Sequence, residues 1–206
     1  MKKFFASLLL FLFLSTLSFS AYKERIIIQF DRMKKLPSHW WVFDNIKCHF
    51  EESTNPIAGK KFLRISGQAE DWYVGGCGAY IVEDCTGFNS IEFMIRGYGD
   101  DCGRIKIQLF DDDNNNAQIE QDKNFNPIND DRWEYELRVE WNGWEKYTIN
   151  FDEFTDTNPG IGNDKFDPYK TWNSGGLVQM QLIFIAPTEK GKIYPGIGAV
   201  RLVNVE

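Results

Sequence analysis

Residues 88–111 read FNSIEFMIRGYGDDCGRIKIQLFD, two runs of alternating apolar and polar side chains joined by a Gly/Asp/Cys turn. A period of two belongs to a strand and is incompatible with a helix face. Ile91, Phe93 and Ile95 fall on one side, Glu92, Met94 and Arg96 on the other. In the second run Ile105, Ile107 and Leu109 oppose Arg104, Lys106, Gln108 and Phe110. The pattern predicts a β-hairpin that packs one face on a core and turns the other to water or a polar ligand.

The rest of the chain is punctuated in the same way. Residues 25–30, 40–50, 61–66, 72–82, 133–139, 144–151, 177–185 and 198–203 read as strands, separated by loops rich in Gly, Pro, Asn and Asp. Asn142 and Gly143 predict a turn pairing 133–139 with 144–151 as a second hairpin. Gly75, Gly76 and Gly78 inside one run predict a bulge or a close backbone approach. No segment has a helical period. About ten short strands at such intervals predict an all-β sandwich.

Lys2 and Lys3, the apolar run 4–17 and the small residues Ser18, Ser20 and Ala21 have the layout of a secretory signal peptide. The apolar run is shorter than the roughly 20 residues of a bilayer span, so cleavage after Ser20 is expected, with one domain over 21–206. The protein is then secreted or periplasmic, with no membrane insertion. The net charge of −7 becomes −9 once Lys2 and Lys3 are lost, which argues against nucleic acid as a partner. The four cysteines form no CxxC pair, and their even number in an exported chain favours disulfides. Antiparallel pairing of the strand before Asp84 with the one after Phe88 would bring Cys77 beside Cys102, leaving Cys48 for Cys85.

Several segments, in their order and spacing, carry a resemblance. They are FD at Phe30 and Asp31 ahead of Trp40, GFNSIEFMIRG at 87–97, RIKIQLFDDDN at 104–114, GWEKYTINFDEF at 143–154, and GLVQMQLIFIAP at 176–187 before IGAVRLV at 197–203. Together they resemble the galactose-binding-like jelly roll of carbohydrate-binding modules, above all the family eleven glucan-binding modules. They also resemble the related domain of complex I intermediate-associated protein 30. The resemblance implies noncatalytic binding of a β-glucan or related polysaccharide on a polar, concave sheet face. No cofactor is implied beyond a structural calcium. In the family an acidic residue on the terminal strand commonly helps hold that calcium, and this chain has Gly198 there.

The outward positions form the candidate sugar site: Met94, Arg96, Lys106, Gln108, Phe110, Glu136, Arg138, Gln179 and Gln181. If their strands are neighbours, they make one shallow surface on which amides and charged groups can bond sugar hydroxyls. A merely solvated sheet face would give the same pattern. Trp72, Tyr73, Tyr80, Trp141 and Trp172 are candidates for an aromatic rim able to stack on sugar rings. For a cation, Asp111, Asp113 and Asn115 have the alternate spacing of a calcium loop, but Asn116 stands where Gly is expected and Asp122 where Glu is expected. The DDDNNN run therefore reads as a solvated hairpin loop. Asp31 with the loop 54–59 is a second cation candidate. Only His39 and His49 are present, and no nucleophile or phosphate motif occurs. Glu134 and Glu136 share a strand face and leave glycoside hydrolysis open as an alternative; an envelope protein-interaction or assembly factor of the same fold is another.

Overall fold

A computed structural model describes residues 23–99 and 102–205; the signal peptide assigned to 1–20 lies outside them. The strands are β1 (Lys23–Ile28), β2 (Trp40–Asp44), β3 (Ile46–Glu52), β4 (Lys61–Gln68), β5 (Tyr73–Glu83), β6 (Ser90–Tyr98), β7 (Arg104–Asp112), β8 (Arg132–Arg138), β9 (Asn142–Asn150), β10 (Thr155–Asp156), β11 (Gly176–Ile185), β12 (Lys192–Ile193) and β13 (Gly196–Asn204). One sheet runs β12-β4-β13-β6-β9, with β1 on β13 and β3 on β4; the other runs β10-β8-β7-β11-β5-β2. Every pairing is antiparallel. The result is a β-sandwich jelly roll.

The alternation puts the expected side chains inside. Ile91, Phe93, Ile95, Ile105, Ile107 and Leu109 are fully buried in one core between the sheets. Each contributes on the order of 2 kcal/mol through burial.

The two expected hairpins are not formed. β6 pairs with β13 and β9, whereas β7 pairs with β11 and β8, so 88–111 is an arch that passes from one sheet to the other. β8 and β9 part in the same way. The two crossovers lie against each other: Gly99 N–H donates to Trp141 O at 2.8 Å, and Val139 N–H to Gly103 O at 2.9 Å. A Cβ on Gly97 would stand 2.2 Å from Trp141 O, and one on Gly103 2.1 Å from Ile185 O. These glycines let backbone meet backbone where the chain changes sheet. Alternation looks the same in an arch and in a hairpin, because both keep one face on the core.

Residues 40–50 also divide between sheets. Asp44 takes a left-handed φ of 58°, sending β2 into the sheet of β5 and β3 into that of β4.

The structure contains no disulfide among the described residues. The expected pairing of Cys77 with Cys102 required β5 beside β6, but these strands lie in different sheets. Cys77 instead contacts the Cys48 thiol, and Cys102 Sγ accepts a hydrogen bond from Tyr98 N–H at 3.1 Å.

The calcium implied at the terminal strand does not fit this chain. Gly198 offers no side-chain oxygen, and a Cβ there would stand 2.9 Å from Ala58 O and 3.0 Å from Met94 Cβ. Arg201 ties the 53–60 loop to the sheet instead, with Nη2 donating to Ile57 O at 2.6 Å and Nη1 to Glu92 Oε1 at 3.3 Å. Asp31 is spent on the same loop: Oδ1 accepts from Lys60 N–H at 2.6 Å and Oδ2 from Gln29 Nε2 at 3.0 Å.

Candidate functional site

The register of the six-stranded sheet lays its outward side chains in rows across the strands. One row runs Glu134, Gln108, Gln181, Gly78, Trp41 from β8 to β2; the next runs Glu136, Lys106, Ile183, Gly76, Phe43. A hydrogen-bond chain follows the first row. Trp41 Nε1 donates to Gln181 Oε1 at 3.4 Å, Gln181 Nε2 to Gln108 Oε1 at 3.0 Å, and Gln108 Nε2 to Glu134 Oε2 at 2.8 Å. Lys106 Nζ closes it on Glu134 Oε1 at 2.7 Å.

Glycine makes the aromatic end of these rows possible. A Cβ on Gly78 would stand 2.3 Å from Trp41 Cζ2, and one on Gly76 2.3 Å from Phe43 Cζ. Both rings therefore lie across the bare backbone of β5, which is the close approach that the glycine pattern predicts. Tyr80 packs on Trp41 with ring centroids 5.2 Å apart and planes at 57°. The Tyr73 hydroxyl donates to Asp44 Oδ2 at 2.5 Å, and burial with this contact pushes its pKa above the usual tyrosine value.

These residues line a groove of about 580 Å³. Trp41, Phe43 and Asp44 come from β2, Tyr73 and Tyr80 from β5, Gln179 and Gln181 from β11, Phe110 from β7 and Arg132 from β8; Gln121 and Phe125 overhang it from the β7–β8 loop. Depressions of similar volume occur elsewhere, for example between the 33–36 loop and β3, but without this row of rings and amides. Phe110 forms an end of the floor rather than an open platform, because Ile119 and Val178 bury it.

Beyond the amides the face is charged but paired. Arg104 meets Glu136 at 2.9 Å and Lys106 meets Glu134 at 2.7 Å, while Arg138 at the strand end meets Glu140 at 3.1 Å. Both carboxylates of the ExE pattern are thus held by cations.

The structure brings Tyr73, Lys106, Gln108, Phe110, Glu136, Gln179 and Gln181 together on this face. Arg96 and Met94 lie apart from it, on β6 of the other sheet. The Arg96 guanidinium stands 5.0 Å from the Tyr98 ring, and Met94 is buried. The separation follows directly from the arch. Trp141 is packed rather than a rim residue: it stacks on Tyr147 at 6.3 Å and donates to Ile95 O at 3.3 Å. Trp72 precedes β5, tied through its backbone to Glu189 and Ala186, and Trp172 is 90% exposed in the 170–175 loop; neither lines the groove. Arg138 also lies outside the groove lining. Trp41 and Phe43 were missed. Their signal was two bulky rings two residues apart facing two glycines two residues apart.

A second feature sits where the 113–131 loop leaves the sheet. The DDDNNN segment is a solvated loop only in its second half: residues 114–116 are exposed, whereas Asp111 and Asp112 are fully buried and Asp113 half-buried, and Asp130 and Asp131 at the far end of the loop are fully buried too. Asp112 closes the turn by accepting from Asn116 and Ala117 N–H. Asp111, Asp113 and Asp167 bring a carboxylate oxygen each within 4.8 Å of one another, and Asp131, Asp156 and Asp164 do the same alongside. Asn115 is exposed and takes a left-handed φ of 58°. Burial, reinforced by mutual repulsion, pushes Asp111 up to about 9, Asp113 to about 7 and Asp131 to about 6.

No protein-family model matches the sequence, and no curated protein matches it. Solved structures do match in fold. A family 11 carbohydrate-binding module from Clostridium thermocellum, in complex with a beta-1,3-1,4-mixed-linked tetrasaccharide, aligns with a TM-score of 0.60 at 15% identity, covering 90% of this chain and 98% of that one. The family 11 module of the cellulosomal cellulase Lic26A-Cel5E of Clostridium thermocellum aligns at 0.56 with 15% identity, covering 90% and 97%. The chain therefore has the jelly-roll fold of the family 11 carbohydrate-binding modules.

Proposed function

We propose that this protein is an exported, noncatalytic carbohydrate-binding module that takes a neutral β-glucan or a related polysaccharide in the groove of the six-stranded sheet. The observation that carries this is the seating of Trp41 and Phe43 over Gly78 and Gly76, beside Tyr80 and the Gln181–Gln108 amide pair. Rings laid along a groove offer flat faces to the C–H side of pyranose rings. Amides beside them offer donors and acceptors to hydroxyls. The charges farther along the face neutralise one another, which favours an uncharged sugar chain over an acidic one. The shared fold supports the same reading, since one structure of that fold holds a mixed-linked tetrasaccharide. Glu134 and Glu136 act here as acceptors that position Gln108, Lys106 and Arg104. Export is supported by the leader-like residues 1–20.

The test is calorimetric titration of residues 21–206 with β-1,3-1,4-linked glucan oligosaccharides, backed by a broad neutral-glycan array. Binding that Trp41→Ala weakens supports the proposal. No binding to any neutral glycan would overturn it, as would release of reducing sugar that Glu136→Gln stops.

A further inference from the structure

Four buried or half-buried carboxylates, Asp111, Asp113, Asp131 and Asp167, converge beneath the β7–β8 loop, and none of the ion pairs among the described residues involves any of them. Each of the first three has one oxygen fixed by a backbone amide. Asp167 N–H donates to Asp111 Oδ2 at 2.9 Å, Asp131 N–H to Asp113 Oδ2 at 3.0 Å, and Lys165 N–H to Asp131 Oδ2 at 3.2 Å. The amides orient the carboxylates; Asp113 Oδ1 also accepts from Asn163 Nδ2, while the second oxygens of Asp111 and Asp131 are left to the cluster. Asp111 Oδ1, Asp131 Oδ1 and Asp167 Oδ1 are buried and have no hydrogen-bond partner among the described residues.

Orphaned, oriented oxygens in a buried site are what a cation requires and what a folded chain otherwise avoids. Gly162 shapes the same place: a Cβ there would stand 2.3 Å from Asp113 Oδ2 and 2.5 Å from Asp131 Oδ1. A side chain at that position would fill the space the carboxylates face.

We propose that Asp111, Asp113 and Asp167 hold one divalent cation of the calcium class, with Asp131 beside it. The donors are all oxygen, with no His or Cys in the group, which selects a hard ion over zinc. Asp111 is the penultimate residue of β7 in the groove sheet, Asp113 and Asp131 are the two ends of the loop carrying Gln121 and Phe125, and Asp167 belongs to the segment leading into β11. One ion thus clamps three segments and fixes the loop that overhangs the groove.

The test uses residues 21–206 stripped with EDTA and dialysed, titrated with CaCl2 by calorimetry and melted with and without 1 mM CaCl2. The expected result is saturable binding and a rise in Tm of several degrees, both lost in Asp111→Asn and Asp167→Asn. Asp111→Asn also removes a carboxyl whose ionised form burial disfavours, so without metal it melts at or above the unmutated chain, whereas with calcium it melts below it. That crossing separates loss of a ligand from a general folding defect. Absence of any response to Ca²⁺, Mg²⁺ or Mn²⁺ in the unmutated chain overturns the proposal, as does a full calcium response in both variants. Glycan binding is not the readout, so this result stands apart from the sugar-binding one.

Discussion

Trp41 Nε1 donates to Gln181 Oε1 at 3.4 Å across the side-chain gap left by Gly78, so an indole on the edge strand is coupled to an amide two strands away. The ring is thereby fixed in plane and position before any ligand arrives. Such preorganisation spares the ordering cost that an exposed aromatic side chain would incur on binding.

Removing the ring should cost affinity. Trp41→Ala and Tyr80→Ala each lose a stacking face worth about 1.5 kcal/mol, an order of tenfold in Kd. Affinity electrophoresis through gels containing a mixed-linkage β-glucan reads this as loss of retardation. Equal retardation of both variants and the unmutated chain would remove the aromatic platform from the site.

The glycine beneath the indole gives an indirect version of the same experiment. In Gly78→Val a Cβ placed 2.3 Å from Trp41 Cζ2 must lift the ring off the sheet and break its bond to Gln181. Glycan affinity should fall as far as in Trp41→Ala although no ligand contact has been deleted. Tryptophan emission shifted to the red, as the ring becomes wetter, would report the displacement, and an unshifted spectrum would show that the ring had not moved.

Much of this was legible from residues alone, and the limits have a physical cause. The period of two identified the core faces of β6 and β7, because alternation depends only on which side meets the core. It could not assign those strands to sheets, because Gly97, Gly99 and Gly103 permit an arch as readily as a turn. Arg96 was therefore grouped with Lys106 and Gln108, from which an entire sheet separates it. The acidic DDDNNN run was readable as oxygen ligands, but its partner Asp167 arrives from more than fifty residues away, a contact that no local spacing encodes.

That misplacement makes a clean control. Arg96→Ala and Trp172→Ala should leave glycan affinity within about twofold of the unmutated chain, since neither residue lines the groove. A tenfold loss in either, with an unchanged Tm, would move the binding surface to another face.

The cysteines supply the last prediction. Contact with Cys77 holds the Cys48 thiol below its ordinary value, while that contact and burial push Cys77 well above. Cys48 is the half-exposed member, so it is the thiol able to meet an external oxidant. With oxidised glutathione, the Cys48 thiolate would attack the donor disulfide and release one glutathione thiolate. Cys77 would then lose its proton, displace the second glutathione and close a bond between β3 of one sheet and β5 of the other. Peptide mapping after such treatment should recover a Cys48–Cys77 cross-link. It should not recover Cys77–Cys102 or Cys48–Cys85, because the thiol that Cys77 contacts is that of Cys48. Because the bridge would tie β3 to the strand carrying Gly76 and Gly78, Cys48→Ser should abolish any oxidation-dependent rise in Tm while leaving the reduced protein's glycan affinity unchanged.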